Sequence, residues 1–143
     1  MVDHKVNHSP YSGVISVFAS SLLAGRSPRI YGDGEQTRDF VCVHDVTAAN
    51  LKAALAPIPA GSVINIASGR RTSINELYRL VRDSAGSVAK NVLASPAPAR
   101  AGEIRHSLAD VSQARRLLDW NPVVPLDRGI QETVDWYRKE MNS

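Results

Sequence analysis

The stretch that decides the fold of this 143-residue chain is residues 30–46, which read IYGDGEQTRDFVCVHDV. Two glycines enclose an aspartate, and apolar or β-branched residues stand on both sides. This pattern predicts a short strand at 29–31, a glycine turn, and an extended run over 37–43 that pairs back as a hairpin. An alanine-rich helix is expected to follow from Asp45 to Leu55, and its small side chains would let it lie close against a sheet.

Outward from this stretch, helices and extended segments alternate. Apolar residues at helical spacing predict further helices around residues 14–22, 73–86, 110–118 and from 127 to the end. Residues 62–67 are predicted to form a buried strand, and residues 91–103 to be loop or extended. The expected fold class is therefore α/β in the broad sense, a mixed α+β chain.

Length and composition favour one globular domain. The chain is 43% hydrophobic and 22% charged, enough to bury one core and remain dispersed in water. We expect residues 1–8 to form a flexible N-terminal leader and residues 9–143 to form a single domain.

The composition also bears on surroundings and partners. No apolar run approaches the roughly 18–20 residues of a membrane span, and the start lacks the apolar core of a signal peptide, so we expect a cytoplasmic protein with no membrane partner. Cys42 has no second cysteine to pair with, and isolated histidines are more often surface residues than ligands, so we expect no metal. The charge of +3 comes from scattered arginines, which disfavours nucleic acid.

Two motifs of nucleotide-dependent catalysis do not occur in the sequence. There is no G-x-G-x-x-G string to seat a dinucleotide pyrophosphate at a helix N-terminus. No tyrosine is followed four residues later by a lysine, so no tyrosine base has a local activating lysine. We therefore expect no cofactor site and no catalytic residue in this chain.

Two arginines are candidates for recognising an anion. Arg38 stands in a strand-like run, and Arg100 precedes a glycine that would bend the chain and bring Glu103 alongside. A planar guanidinium pairs well with phosphate oxygens, and a carboxylate can accept hydrogen bonds from ribose hydroxyls. From residue types alone an alternative is open, in which Arg38 pairs with Asp39 or Asp45 and Arg100 is a loop charge.

Several strings of the sequence resemble one family in order and spacing: Ser9–Ser16, Ile30–Val41 with His44–Val46, Asn65–Gly69 before Ser73, and Arg100–Glu103 leading to Ser107–Asp110. The chain resembles the C-terminal, substrate-binding part of extended short-chain dehydrogenase/reductases of the NAD-dependent epimerase/dehydratase group. Within that group it is most similar to UDP-glucose and UDP-N-acetylglucosamine 4-epimerases.

The resemblance implies a UDP-sugar site with six residues of this chain: Arg29, Tyr31, Arg38, Arg100, Glu103 and Ser107. In such enzymes the two string arginines hold the diphosphate, and the acidic residue, more often aspartate, binds the ribose. The segment before the glycine turn cradles the base, although Tyr31 could instead pack on the core. A small residue at Ser107 would admit an N-acetylated sugar.

The resemblance also implies what a complete member adds. A complete member carries NAD on a Rossmann domain with the glycine fingerprint and a catalytic Tyr-x-x-x-Lys, so this chain is expected to bind a nucleotide sugar without catalysing a reaction alone. The helix at 45–55 and the strand at 63–67 would expose apolar surface, which predicts a homodimer or a separate Rossmann domain as partner. A structural or partner-binding remnant and, less favoured, a basic nucleic-acid-binding module remain alternatives.

Overall fold

The computed structural model describes residues 13–142, so the leader expected at 1–8 and residues 9–12 of the first string lie outside the described residues. The helices are α1 (Val14–Leu23), α2 (Val43–Leu55), α3 (Ile74–Ala85), α4 (Ser112–Leu118) and α5 (Leu126–Met141), with a 3-10 turn at Gly86–Val88. The strands are β1 (Arg29–Tyr31), β2 (Thr37–Arg38), β3 (Thr72–Ser73) and β4 (Ser95–Ala97). The mixed α and β class is confirmed.

The described chain divides into two compact units. The first contains residues 13–35, 74–103 and 130–142, and the second contains Gln36–Ser73 and Ile104–Gly129. The single domain expected over residues 9–143 stays a prediction.

In the first unit, α1 packs against α3. Phe18 and Leu22 of α1 and Leu77, Tyr78 and Val81 of α3 are buried, which confirms the apolar stripes expected for both helices. The rings of Phe18 and Tyr78 meet edge to face, with centroids 5.9 Å apart. This helix pair is the centre of the first unit.

The sheet of the first unit is parallel, and the hairpin prediction is wrong. β1 pairs with β4 in the register Arg29 to Ser95 and Tyr31 to Ala97. The glycine turn after β1 is instead fixed by Asn75 at the start of α3, whose side-chain amide donates to the Asp33 carbonyl at 2.9 Å. Gly34 has a φ of +75°, and a Cβ there would lie 2.1 Å from the Asn75 Oδ1, so this turn requires glycine. The chain leaves the turn without folding back on β1.

In the second unit, β2 pairs antiparallel with β3, and the segment around His106 runs beside β2 through a parallel bridge at Thr37. The extended run expected over 37–43 is wrong beyond Arg38, because the strand ends there and α2 begins at Val43. After Arg38, the neighbouring segments are joined to this stretch through the Asp39 side chain, whose carboxylate accepts hydrogen bonds from their backbone N–H groups.

The core of the second unit forms where α2 meets α4. Ala49 of α2 is buried with Ala114, Leu118 and Trp120, so the helix predicted at 45–55 is confirmed and begins two residues earlier. The strand predicted at 62–67 is wrong: no strand pairing is found there among residues 13–142. Ile64 and Ile66 pack on this cluster. The segment is held by apolar packing on one side rather than by a strand ladder.

Asp45 anchors the start of α2. Its carboxylate is buried and accepts hydrogen bonds from the backbone N–H groups of Val123, at 3.1 Å, and Val124, at 3.0 Å. The indole N–H of Trp120 donates to the Asp45 carbonyl at 3.1 Å. These bonds fix the loop after α4 against the first turn of α2.

Within residues 13–142, none of the helices combines the length and the apolarity that crossing a membrane requires.

Candidate functional site

Two of the predicted site residues meet in the first unit. The guanidinium carbon of Arg100 lies 3.9 Å from the centre of the half-buried Tyr31 ring. Tyr31 is the last residue of β1, and Arg100 follows the strand that pairs with it. Their chain neighbours are also close, since a Cβ on Gly32 would lie 3.5 Å from the Ala99 Cβ. The strand register therefore brings the arginine to the ring.

The phenol of Tyr31 lies in a positive environment. Its hydrogen bond to Arg100 and the charge of that guanidinium lower the pKa of Tyr31 from its ordinary value, with a smaller contribution from Arg29. Arg29 and Tyr31 are alternate residues of β1 and therefore share one face of the strand. This face presents two guanidinium groups near one hydroxyl, an arrangement suited to attract an anion.

The turn after Arg100 has the bend expected from its glycine. The Glu103 N–H donates to the Arg100 carbonyl at 3.3 Å, and Gly102 has a φ of +75°, which glycine adopts without strain. The exposed Glu103 therefore stands one tight turn from Arg100 in the first unit.

The other two predicted residues, Arg38 and Ser107, are brought together in the second unit. The Arg38 Nη1 donates to the carbonyls of Thr37, at 2.8 Å, and Ile104, at 2.7 Å. The Ser107 N–H donates to the same Thr37 carbonyl at 3.1 Å. One backbone oxygen of β2 is thus shared by the guanidinium and by the start of the Ser107 segment.

The carboxylates considered as partners of Arg38 are engaged by other groups. Both oxygens of Asp45 accept backbone N–H groups, as described above. Asp39 accepts from the Ser68 N–H at 2.8 Å, the Ser68 hydroxyl at 2.5 Å, the Gly69 N–H at 3.0 Å and the Ala109 N–H at 3.3 Å. These bonds assign the two aspartates to holding loops in place.

Asp39 is the structural residue that the sequence interpretation missed. It belongs to the string at 30–41, and its donors belong to the strings at 65–69 and 107–110. The sequence held a signal for this role. Asp39 is a carboxylate next to Arg38, within one of the strings that carry the family resemblance, but that resemblance used only the order and spacing of the strings. One side chain ties three of those strings together beside Arg38.

The predicted site residues of the two units carry groups that are suited to binding a ligand. Guanidinium donors and a phenol recognise phosphate oxygens, and hydroxyl and carboxylate groups recognise sugar hydroxyls. Among residues 13–142 there is no group of three or more histidine, cysteine, aspartate or glutamate side chains arranged to hold a metal ion. That the chain uses no metal stays a prediction.

The fold is that of the C-terminal portion of nucleotide-sugar epimerases of the extended short-chain dehydrogenase/reductase class. The chain belongs to the family described as GDP-mannose 4,6 dehydratase, whose family model matches residues 6–133. The family inferred from the sequence strings, the epimerase/dehydratase group, is thereby confirmed.

The relatives include epimerases from bacteria and archaea. The chain is 39% identical over 129 residues to the UDP-glucose 4-epimerase of Mycolicibacterium smegmatis, covering 90% of this chain and 40% of that protein. It is 37% identical to the solved UDP-N-acetylglucosamine 4-epimerase of Methanobrevibacter ruminantium in complex with UDP-N-acetylmuramic acid, with a TM-score of 0.85 over 94% of this chain and 42% of that one.

A second solved relative gives the same result. The UDP-glucose 4-epimerase of Thermotoga maritima, solved with UDP-glucose, is 37% identical with a TM-score of 0.82, covering 93% of this chain and 42% of that one. The chain thus spans about two fifths of the length of the relatives it matches.

Proposed function

We propose that this chain recognises a UDP-sugar through its diphosphate and does not by itself catalyse a reaction of the sugar. The observation that supports the proposal is the fixed position of the two string arginines. Arg38 is held by two carbonyl oxygens and Arg100 lies on an aromatic ring. These contacts orient each guanidinium, and an oriented guanidinium pairs well with the oxygens of a diphosphate. The solved relatives named above hold UDP-sugars.

In this proposal each of the remaining site residues has a role toward one part of the UDP-sugar. Backbone groups near Arg29 contact the base, and Glu103 accepts hydrogen bonds from the ribose. Ser107 faces the sugar, and its short side chain admits an N-acetyl group. The similarity to an enzyme named for UDP-N-acetylglucosamine supports that choice of sugar.

The proposal places neither NAD nor a catalytic base in this chain. The support comes from its own sequence, which has no glycine fingerprint and no Tyr-x-x-x-Lys string. The relatives named as epimerases are longer proteins, and this chain matches about two fifths of their length.

The experiment is a titration of the purified chain with UDP up to millimolar concentration, followed by NMR chemical shifts. We expect weak, saturable binding. Arg38→Ala and Arg100→Ala should each weaken it by about 1.5–3 kcal/mol, the range for hydrogen bonds to charged groups. Arg82→Ala is the matched control, since Arg82 lies on α3 and pairs with Asp83. Incubation with UDP-glucose and NAD should yield no epimerised product.

Other outcomes would point elsewhere. A chain that shows no shift with millimolar UDP would favour the structural or partner-binding remnant. DNA binding that weakens steeply with salt would favour the basic nucleic-acid-binding module. Product formed by chain free of contaminating epimerase would contradict the second half of the proposal.

We also propose that a second copy of this chain is its partner, with a separate Rossmann domain as the alternative. The outer face of α2 exposes Val43, Leu51 and Leu55 at 68%, 64% and 88%, and Val63 of the same unit is 81% exposed. Val43, Leu51 and Leu55 are eight and four residues apart, which places them along one side of the helix. Leaving apolar surface in water costs about 25 cal/mol per Å², and a partner chain removes that cost.

Sedimentation equilibrium at micromolar protein tests the dimer. We expect a species of twice 15.5 kDa that shifts toward the monomer in Leu51→Lys. Leu93→Lys is the control, because Leu93 is also an exposed leucine, at 74%, but lies in the other unit. A single species near 15.5 kDa for the unaltered chain would contradict self-association.

A further inference from the structure

We propose that Tyr31 is a positioning residue whose ring holds the Arg100 guanidinium in place for the diphosphate. The inference rests on the proposed function of Arg100 and adds to it the group that orients this arginine. It assigns the ring of Tyr31 to the arginine instead of to the base, which is the role that the family resemblance implies.

The contact is close enough to orient a flexible side chain. The Arg100 Cζ lies 3.9 Å from the Tyr31 ring centre, well inside the roughly 6 Å over which a cation is attracted to an aromatic face. Arg100 is an exposed residue, and a long exposed side chain otherwise samples many rotamers. The ring and the phenol oxygen are neutral partners, so they restrict the guanidinium while leaving its positive charge available to an anion.

The backbone on both sides of this contact is fixed. The Gly32 N–H, next to Tyr31, donates to the Ala97 carbonyl at 2.9 Å and extends the β1–β4 pairing. The Arg100 carbonyl accepts the Glu103 N–H and closes the turn that follows. Both partners are thus held by main-chain bonds, and their side chains meet in a defined place.

A second arginine over a tyrosine ring gives a useful contrast. The Arg82 Cζ lies 5.7 Å from the Tyr78 ring centre, and its guanidinium also reaches the Asp83 carboxylate at 3.3 Å. The Tyr78 hydroxyl donates to the Val92 carbonyl, and its ring is buried in the core. The Tyr31 pair is closer and lies on the face that also carries Arg29.

A double-mutant cycle on UDP affinity tests the proposal. Tyr31→Leu should weaken binding about two- to fivefold, the change expected from an exposed cation–aromatic contact. Tyr31→Phe keeps the ring and should retain most of the affinity. In an Arg100→Ala background, Tyr31→Leu should have no further effect, and Arg82→Ala should bind like the unaltered chain. A Tyr31→Leu loss that is equal in both backgrounds would overturn the proposal, because Tyr31 would then contact the nucleotide independently.

A second readout does not depend on the nucleotide. The ultraviolet titration of Tyr31, obtained as the difference between the unaltered chain and Tyr31→Phe, should show its pKa rising toward the ordinary value in Arg100→Ala. If the unaltered chain binds no UDP, the proposed function fails, whereas this titration still reports whether Arg100 lies on Tyr31. An unchanged Tyr31 pKa in Arg100→Ala would overturn the positioning role.

Discussion

Replacing Asp39 by alanine should lower the free energy of unfolding of the second unit by about 2–4 kcal/mol, since hydrogen bonds to a charged group contribute about 1.5–3 kcal/mol and do not add fully. Its carboxylate accepts hydrogen bonds from Ser68, Gly69 and Ala109, which lie on two separate loops. The substitution removes the acceptor and leaves these donors to find water.

Urea unfolding followed by tryptophan fluorescence measures this effect. The chain has two tryptophans, so in a Trp136→Phe background the fluorescence reports Trp120 in the core of the second unit. Asp83→Ala is the control, because that carboxylate is 70% exposed and its pairing with Arg82 should contribute less than about 1 kcal/mol. Asp39→Asn keeps one acceptor oxygen, so its loss of unfolding free energy should lie between those of Asp39→Ala and Asp83→Ala. Equal midpoints for Asp39→Ala and Asp83→Ala would show that the bonds to Asp39 add nothing.

The helices could be predicted from the sequence because their signals are local. The apolar stripe of α3, with Leu77 and Val81 at helical spacing, is set by residues within one segment, and burial follows that spacing. Strand partners are set by residues far apart in the chain. β1 pairs with a strand that follows α3, so no local pattern around the glycine turn could show that the expected hairpin does not form.

The same distinction applies to the candidate site. Arg38 and Arg100 could be singled out because each stands in a distinctive string, and Ser107 followed from the family resemblance. The ring beneath Arg100 depends on the register of β1 and β4, and the role of Asp39 depends on two loops that reach it from elsewhere in the chain. A local motif identifies candidate residues, whereas their hydrogen-bond partners depend on where distant loops lie in the folded chain.

Truncating Phe18 to alanine should cost about 3–5 kcal/mol of unfolding free energy in the first unit, the range for removing a buried phenylalanine side chain. Phe18 is 1% exposed on the face of α1 that packs against α3, and its ring and the Tyr78 ring meet edge to face. The loss combines the apolar surface that returns to water, the cavity left in the helix pair and the aromatic contact.

Far-UV circular dichroism in urea follows the loss, because α1 and α3 contribute much of the helix in the first unit. Phe18→Leu, which fills most of the same space, should lose less than half as much. Leu93→Ala is the control for removing an apolar side chain of the same unit, since Leu93 is 74% exposed and its truncation should change stability by less than about 0.5 kcal/mol. A Phe18→Ala midpoint that coincides with Leu93→Ala would mean that the α1–α3 contact does not hold the first unit together. The stability of the strand pair that presents Tyr31 and Arg100 would then have to come from the β1–β4 bonds themselves.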